Sequence, residues 1–162
     1  MLAKSTLTLA VFTWMAASAL AQQVTLPLPR LLTVMPMGGQ AGTTVEVTIT
    51  GENTENISEL MFSTPKITAK PVAGTENKFT VSIAADAPVG VYDARVMSRL
   101  GVSAARAFSV NKLPEVIRTK ANNTVETAMK LPLGTICNAT MTKRSVDFYA
   151  FQGVKGKRVA VD

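Results

Sequence analysis

A chain of 162 residues has room for one ordinary domain or two small ones. Histidine is absent, which removes Ser-His-Asp and Cys-His nucleophile arrangements and any His-containing zinc site, and the single cysteine, Cys137, cannot form an intramolecular disulfide. The net charge of +6, or +5 without Lys4, is spread over Lys66, Lys70, Lys78, Arg95, Arg99 and Arg106, with a mild cluster at Lys155, Lys157 and Arg158. No basic stripe interleaved with aromatics appears, so these read as solvated strand faces, no nucleic-acid partner is expected, and only weak attraction to acidic polymers or lipid surfaces remains.

Residues 1–21 read as an export signal. Lys4 supplies the positive start, residues 7–17 (LTLAVFTWMAA) form a short apolar run, and Ala19-Leu20-Ala21 is a small-x-small cleavage site. The run is too short for a confident transmembrane helix, and no later stretch is long and apolar enough to span. The expectation is a mature chain from Gln22, secreted or placed in the periplasm or at the cell surface, with no stable membrane span after signal removal.

Residues 22–28 are an extended lead-in, biased by Pro27 and Pro29. Residues 29–110 then read as one β-sandwich. A strand is expected over 31–35, stopped by Pro36, and a glycine-rich turn over 37–42. Residues 44–50 alternate strictly, with Val45, Val47 and Ile49 on one face and Thr44, Glu46, Thr48 and Thr50 on the other. Further strands are expected over 57–62, 67–72, 79–83, 91–97 and 107–110, with turns at 74–77 and 86–90 and a break at Gly101. About seven short, regularly spaced strands in roughly 80 residues are the pattern of an all-β sandwich.

The residues here carry a resemblance. Gly38 to Val47 (GGQAGTTVEV), Gly51, Ala87 to Val96 (APVGVYDARV), Gly101-Val102-Ser103 and Phe108-Ser109-Val110 resemble Ig-like folds of the IPT/TIG class. They are more similar still to the domain that precedes PPC-type domains in large secreted bacterial proteins. The resemblance covers about half of the chain. Its motifs are turn glycines and core positions, which specify fold far better than function.

Residues 111–120 read as a linker. In residues 121–162, Asn123 and Glu126 are spaced as a capping box for one helical turn, and strands are expected over 131–137, 145–152 and 158–162. The run NNTxxxA at 122–128, the aromatic run Asp147, Phe148, Tyr149 and Phe151, and KGKRV at 155–159 resemble the start of the bacterial pre-peptidase C-terminal (PPC) domain. That resemblance implies a second β-sandwich of which the N-terminal part is seen, so the chain is expected to be a fragment. The fold expected for the whole is all-β: an Ig-like β-sandwich followed by an incomplete, PPC-like second one.

Each candidate site has a plainer reading beside it. Related domains hold calcium near a Glu-Pro-Asn-Asn run; here Lys120-Ala121-Asn122-Asn123 puts a cation at the acidic position. Asn122, Asn123 and Asp147 could still offer oxygens, but the asparagines fit turn capping better. No metal ligand or cofactor is assigned, and calcium is the one alternative kept. The eleven acids fall singly, with no converging acid/base pair, so no catalytic residue is assigned. Residues 37–44 lack the lysine of a phosphate loop and precede a strand rather than a helix. The sequons at Asn56, Asn122 and Asn138 mean nothing in a bacterial source. Cys137, beside Ile136 and Ala139, reads as a small core residue. Phe148, Tyr149, Phe151 and Tyr92 read mostly as core.

The expected function is that of non-catalytic modules in a secreted bacterial protein, acting as spacer, adhesion or stability elements with an unknown protein or polysaccharide partner. Two alternatives stand beside it. One is the N-terminal accessory region of a secreted hydrolase or peptidase whose catalytic domain lies beyond residue 162. The other is a carbohydrate- or protein-binding module, which exposed aromatics on a strand face would favour.

Overall fold

The computed structural model describes residues 26–141 and 143–161. The expected export signal, residues 22–25, Thr142 and Asp162 lie outside them. The fold is all-β, and no helix occurs among the described residues.

Nine strands lie in the first part of the chain: β1 (Arg30–Met35), β2 (Gly38–Gln40), β3 (Thr44–Glu52), β4 (Glu59–Phe62), β5 (Ile67–Pro71), β6 (Lys78–Ile83), β7 (Gly90–Ser98), β8 (Gly101–Val102) and β9 (Arg106–Asn111). They form two sheets. One runs β1-β3-β6-β5, all antiparallel; the other runs β2-β9-β7-β4, with β8 pairing β7 as a short hairpin. The chain crosses from the first sheet to the second between β1 and β2, where the Met35–Pro36 peptide bond is cis.

The alternation in the sequence maps directly onto burial. Val47 and Ile49 from β3, Phe79, Val81 and Ile83 from β6, Ala94 and Val96 from β7, and Phe108 and Val110 from β9 meet between the sheets. Burying each of the larger side chains is worth about 1.5–3 kcal/mol. Leu31 and Val34 in β1 break the period of two, yet both are buried. A register irregularity between Leu31 and Thr33 re-aims the strand so that both side chains face the core. Phe62 and Phe108 meet edge to face, with ring centroids 5.0 Å apart.

Two expectations for this part are corrected. Residues 38–40, expected as a turn, are strand β2, parallel to β9. Close approach explains why two glycines stand there. A Cβ on Gly38 would lie 2.2 Å from Ser109 Oγ, and one on Gly39 would lie 2.5 Å from Ile83 Cδ1. Gly101, expected as a break, instead takes a φ of 115° that turns the chain into β8.

Tyr92, near the start of β7, donates its hydroxyl to the Pro88 carbonyl at 2.7 Å. Tyr92→Phe is expected to cost about 0.5–1.5 kcal/mol by urea unfolding, the net worth of one such bond. On the surface, Lys66 pairs with Asp86, Lys78 with Glu46 at 2.9 Å and Arg95 with Asp93 at 3.2 Å, so three of the dispersed cations are locally compensated. Asp86 is held below the usual carboxylate range, first by its hydrogen bond from Lys66 and then by the charge of Lys66. Because the folded value is depressed, this contact stabilises the fold above the ordinary aspartate value of 3.8, and its contribution is lost as pH falls through the lower folded value. Lys66→Met should therefore move the Asp86 titration, followed by carboxyl-carbon NMR, back up toward that ordinary value.

The remaining strands are short: β10 (Glu115–Ile117), β11 (Met129–Lys130), β12 (Ile136–Asn138) and β13 (Tyr149–Ala150). β10 pairs β12 and β11 pairs β13, both parallel. β10 lies within residues 111–120, read from sequence as a linker. Residues 131–135, expected as strand, are a turn in which Gly134 has a φ of 76°. The strand expected over 145–152 narrows to Tyr149–Ala150, and described residues 158–161 form none. The expected capping box at Asn123 and Glu126 is replaced by a turn. Thr124 Oγ1 accepts from Thr127 N at 3.3 Å, and Thr127 Oγ1 accepts from Thr124 N at 3.1 Å. Paired threonines satisfy the backbone locally, so no helical turn is needed.

Candidate functional site: the junction after the sandwich

The richest polar cluster lies where β9 leaves the sandwich. Asn111 ends β9 and folds its side chain back, so that its Oδ1 accepts from Leu113 N at 2.8 Å. Its Nδ2 donates to Glu115 Oε1 at 2.6 Å. Asn138 Nδ2 donates to Glu115 Oε2, also at 2.6 Å, and Asn138 Oδ1 accepts from Met37 N at 2.9 Å. Asn138 is 5% exposed. Backbone bonds flank the group: Arg118 N donates to Asn138 O, and Ile136 N donates to Pro114 O, each at 2.9 Å. Sequence reasoning missed this cluster. Asn138 was visible only as a sequon, and the separation of 101 residues from Met37 hides the contact.

A second polar group lies in the strands beyond. Asn122 is 1% exposed; its Nδ2 donates to Phe148 O at 2.8 Å, and its own carbonyl accepts from Phe148 N at 2.7 Å. Asp147 faces Arg118, with Nη2 to Oδ2 at 3.4 Å and side chains 9% and 13% exposed. Asn122 Oδ1 and Arg118 Nε are buried without a partner. The structure thus brings Asn122 and Asp147 to one end of this unit and leaves Asn123 exposed. The Arg118 guanidinium already offsets the Asp147 charge, a poor setting for a divalent cation. Among the described residues no group of three Cys, Asp or Glu side chains converges.

Four amides flanking the Gly-Gly-Gln strand are engaged. Met37 N donates to Asn138, Ala41 N to Asn111 O, Gly42 N to Ile83 O and Thr43 N to Gln40 O. Residues 38–40 form strand β2 and lead into strand β3 rather than a helix, unlike a phosphate loop. Of the sequon asparagines, Asn56 is exposed, whereas Asn122 and Asn138 are buried with their amides donating to protein oxygens.

Cys137 is half-buried, its Sγ 4.0 Å from Met129 Sδ. It borders an open apolar groove of about 670 Å³, walled by Leu113, Leu131, Leu133, Ile136, Tyr149 and Phe151. Tyr149 and Phe151, expected as core, are exposed; the strand there is too short to carry them inside, and Phe148 is half-buried. The Tyr149 phenol is pushed above its usual value, first by loss of solvent and then by neighbouring Cys137. Lys155, Lys157 and Arg158 stand exposed around a turn closed by Lys157 N to Val154 O at 3.0 Å.

No protein-family model matches this chain, and no curated protein is significantly similar to it.

Proposed function

We propose that this chain supplies non-catalytic extracytoplasmic modules, the first an Ig-like sandwich that serves as a rigid spacer. The observation that carries the reading is strand order. β1-β3-β6-β5 opposed to β4-β7-β9 matches the A-B-E-D and C-F-G arrangement of Ig-like domains. Tyr92 adds support. It sits at the β6–β7 corner and bonds the backbone four residues upstream, the position and contact of a tyrosine corner. No cysteine pair stands between these sheets; the Phe62–Phe108 contact fills the core instead. The resemblance of residues 121–162 to a PPC domain supports a secreted bacterial setting for the pair.

Two measurements test the reading. Residues 1–21 fused to a phosphatase that is active only after export should give extracytoplasmic activity. The mature chain should turn over no chromogenic ester, peptide or glycoside. Hydrolysis abolished by a point substitution in the chain would overturn the spacer reading.

A second reading, a carbohydrate- or protein-binding module, is favoured by one observation: exposed Tyr149 and Phe151 border the apolar groove. Calorimetric titration with soluble oligosaccharides tests its carbohydrate arm. Heat of binding that disappears in Tyr149→Ala would favour it over the spacer.

A further inference from the structure

The hydrogen-bond directions at the junction leave one solution. Met37 N and Leu113 N are backbone donors, so they fix Asn138 Oδ1 and Asn111 Oδ1 as the outer acceptors. Both side-chain amides must then present N–H groups inward, to the residue between them. The group between them must accept on both sides, and the Glu115 carboxylate does so, receiving one amide on each oxygen at 2.6 Å. Flipping either amide repairs nothing, because it sets its N–H groups against a backbone N–H. Gly38 makes room for the arrangement, since a Cβ there would lie 3.2 Å from Glu115 Oε1.

We propose that Asn111, Glu115 and Asn138 form a clasp that locks the strands after the sandwich onto its edge strand β2, so that residues 112–120 act as a rigid elbow. The clasp ties three places: the entry to β2 through Met37, the end of β9 through Asn111, and the β10–β12 pair through Glu115 and Asn138. Gln40 Nε2 donating to Lys112 O at 2.9 Å braces the same elbow. The orientation of the second unit is then set by the sandwich. This holds whether the chain is a spacer or a binding module.

The test exploits the fixed polarity. Asn138→Asp replaces a donor with an oxygen 2.6 Å from Glu115 Oε2, setting two carboxylates against each other. Glu115→Gln sets a donor against a donor. The double variant Glu115→Gln/Asn138→Asp reverses the pair. The introduced carboxylate accepts from both Met37 N and the new amide, while the introduced amide's oxygen still accepts from Asn111. Hydrogen exchange of the Met37 amide in the full chain reads the clasp directly. Each single variant should speed that exchange about tenfold or more relative to the Ser103 amide inside the sandwich, and the double variant should restore it to within about threefold of the parent. Should a single variant unfold altogether, recovery of the fold in the double variant supports the clasp equally. Unchanged Met37 protection in both single variants, or a double variant no better than the singles, overturns it.

Discussion

Phe108→Ala is expected to lower the unfolding free energy of the sandwich by about 3–5 kcal/mol, read as a shift of the urea midpoint at unchanged slope. Phe108 is 0% exposed and lies on β9, the strand that joins β2 to β7 in the second sheet. Truncation removes the ring, forfeits its edge contact with Phe62 and leaves a cavity between tightly packed sheets. Small domains have stabilities of about 5–15 kcal/mol, so this one change consumes a large part of the total. Phe108→Leu, which retains most of the volume, should cost clearly less. Equal costs for the two variants would mean that the site collapses around the missing ring.

Arg118→Met is the second large effect, confined to the strands after the sandwich. It leaves Asp147 buried without a counter-charge, and breaking a buried pair on one side costs about 3–5 kcal/mol. Arg118 Nη2 also donates to Thr140 O, so that carbonyl loses a partner too. Two- and three-residue strands have little to set against such a loss. Amide protection at Arg118, Leu131 and Phe148, whose N–H groups bond Asn138 O, Ala150 O and Asn122 O, should collapse. Protection at Ser103 N, bonded to Val96 O inside the sandwich, should persist. Arg118→Met/Asp147→Leu should recover much of the lost protection, because an apolar pair carries no uncompensated charge. Loss of protection at Ser103 would show that the two parts unfold as one.

Long alternating strands were legible in the sequence. Residues 44–50 and 79–83 carry a period of two over enough positions to exclude a helix, and the structure places β3 and β6 there. Two features of the sandwich were not. β2 consists of Gly-Gly-Gln, which carries turn propensity; its strand geometry comes from parallel pairing with β9, and the close approach of Ser109 and Ile83 leaves no room for side chains at its two glycines. The inward pair Leu31 and Val34 depends on a bulge that no periodicity announces.

The later strands were legible only as a class. Strands of two or three residues are too short to show a period, so 131–137 read as one strand where the chain turns at Gly134. The candidate junction was hidden for another reason. Asparagine reads locally as turn, cap or sequon, and nothing near Asn138 in sequence points to Met37. Glu115 likewise reads as one more solvated acid until Asn111 and Asn138 are set on either side of it.

The parallel pairing of β2 with β9 imposes an order of events on the growing chain. Gly38 finds its partner only when Ser109 has been made, so the second sheet stays open at that edge until nearly the whole sandwich exists. The Met37 amide that bonds Asn138 sits beside this edge. Until β9 arrives, the exposed β2 backbone can be captured by any passing strand, including one from another copy. Closure by β9 covers one side of β2, leaves β2 as the edge of the finished sheet, and creates the seat for the strands made after it.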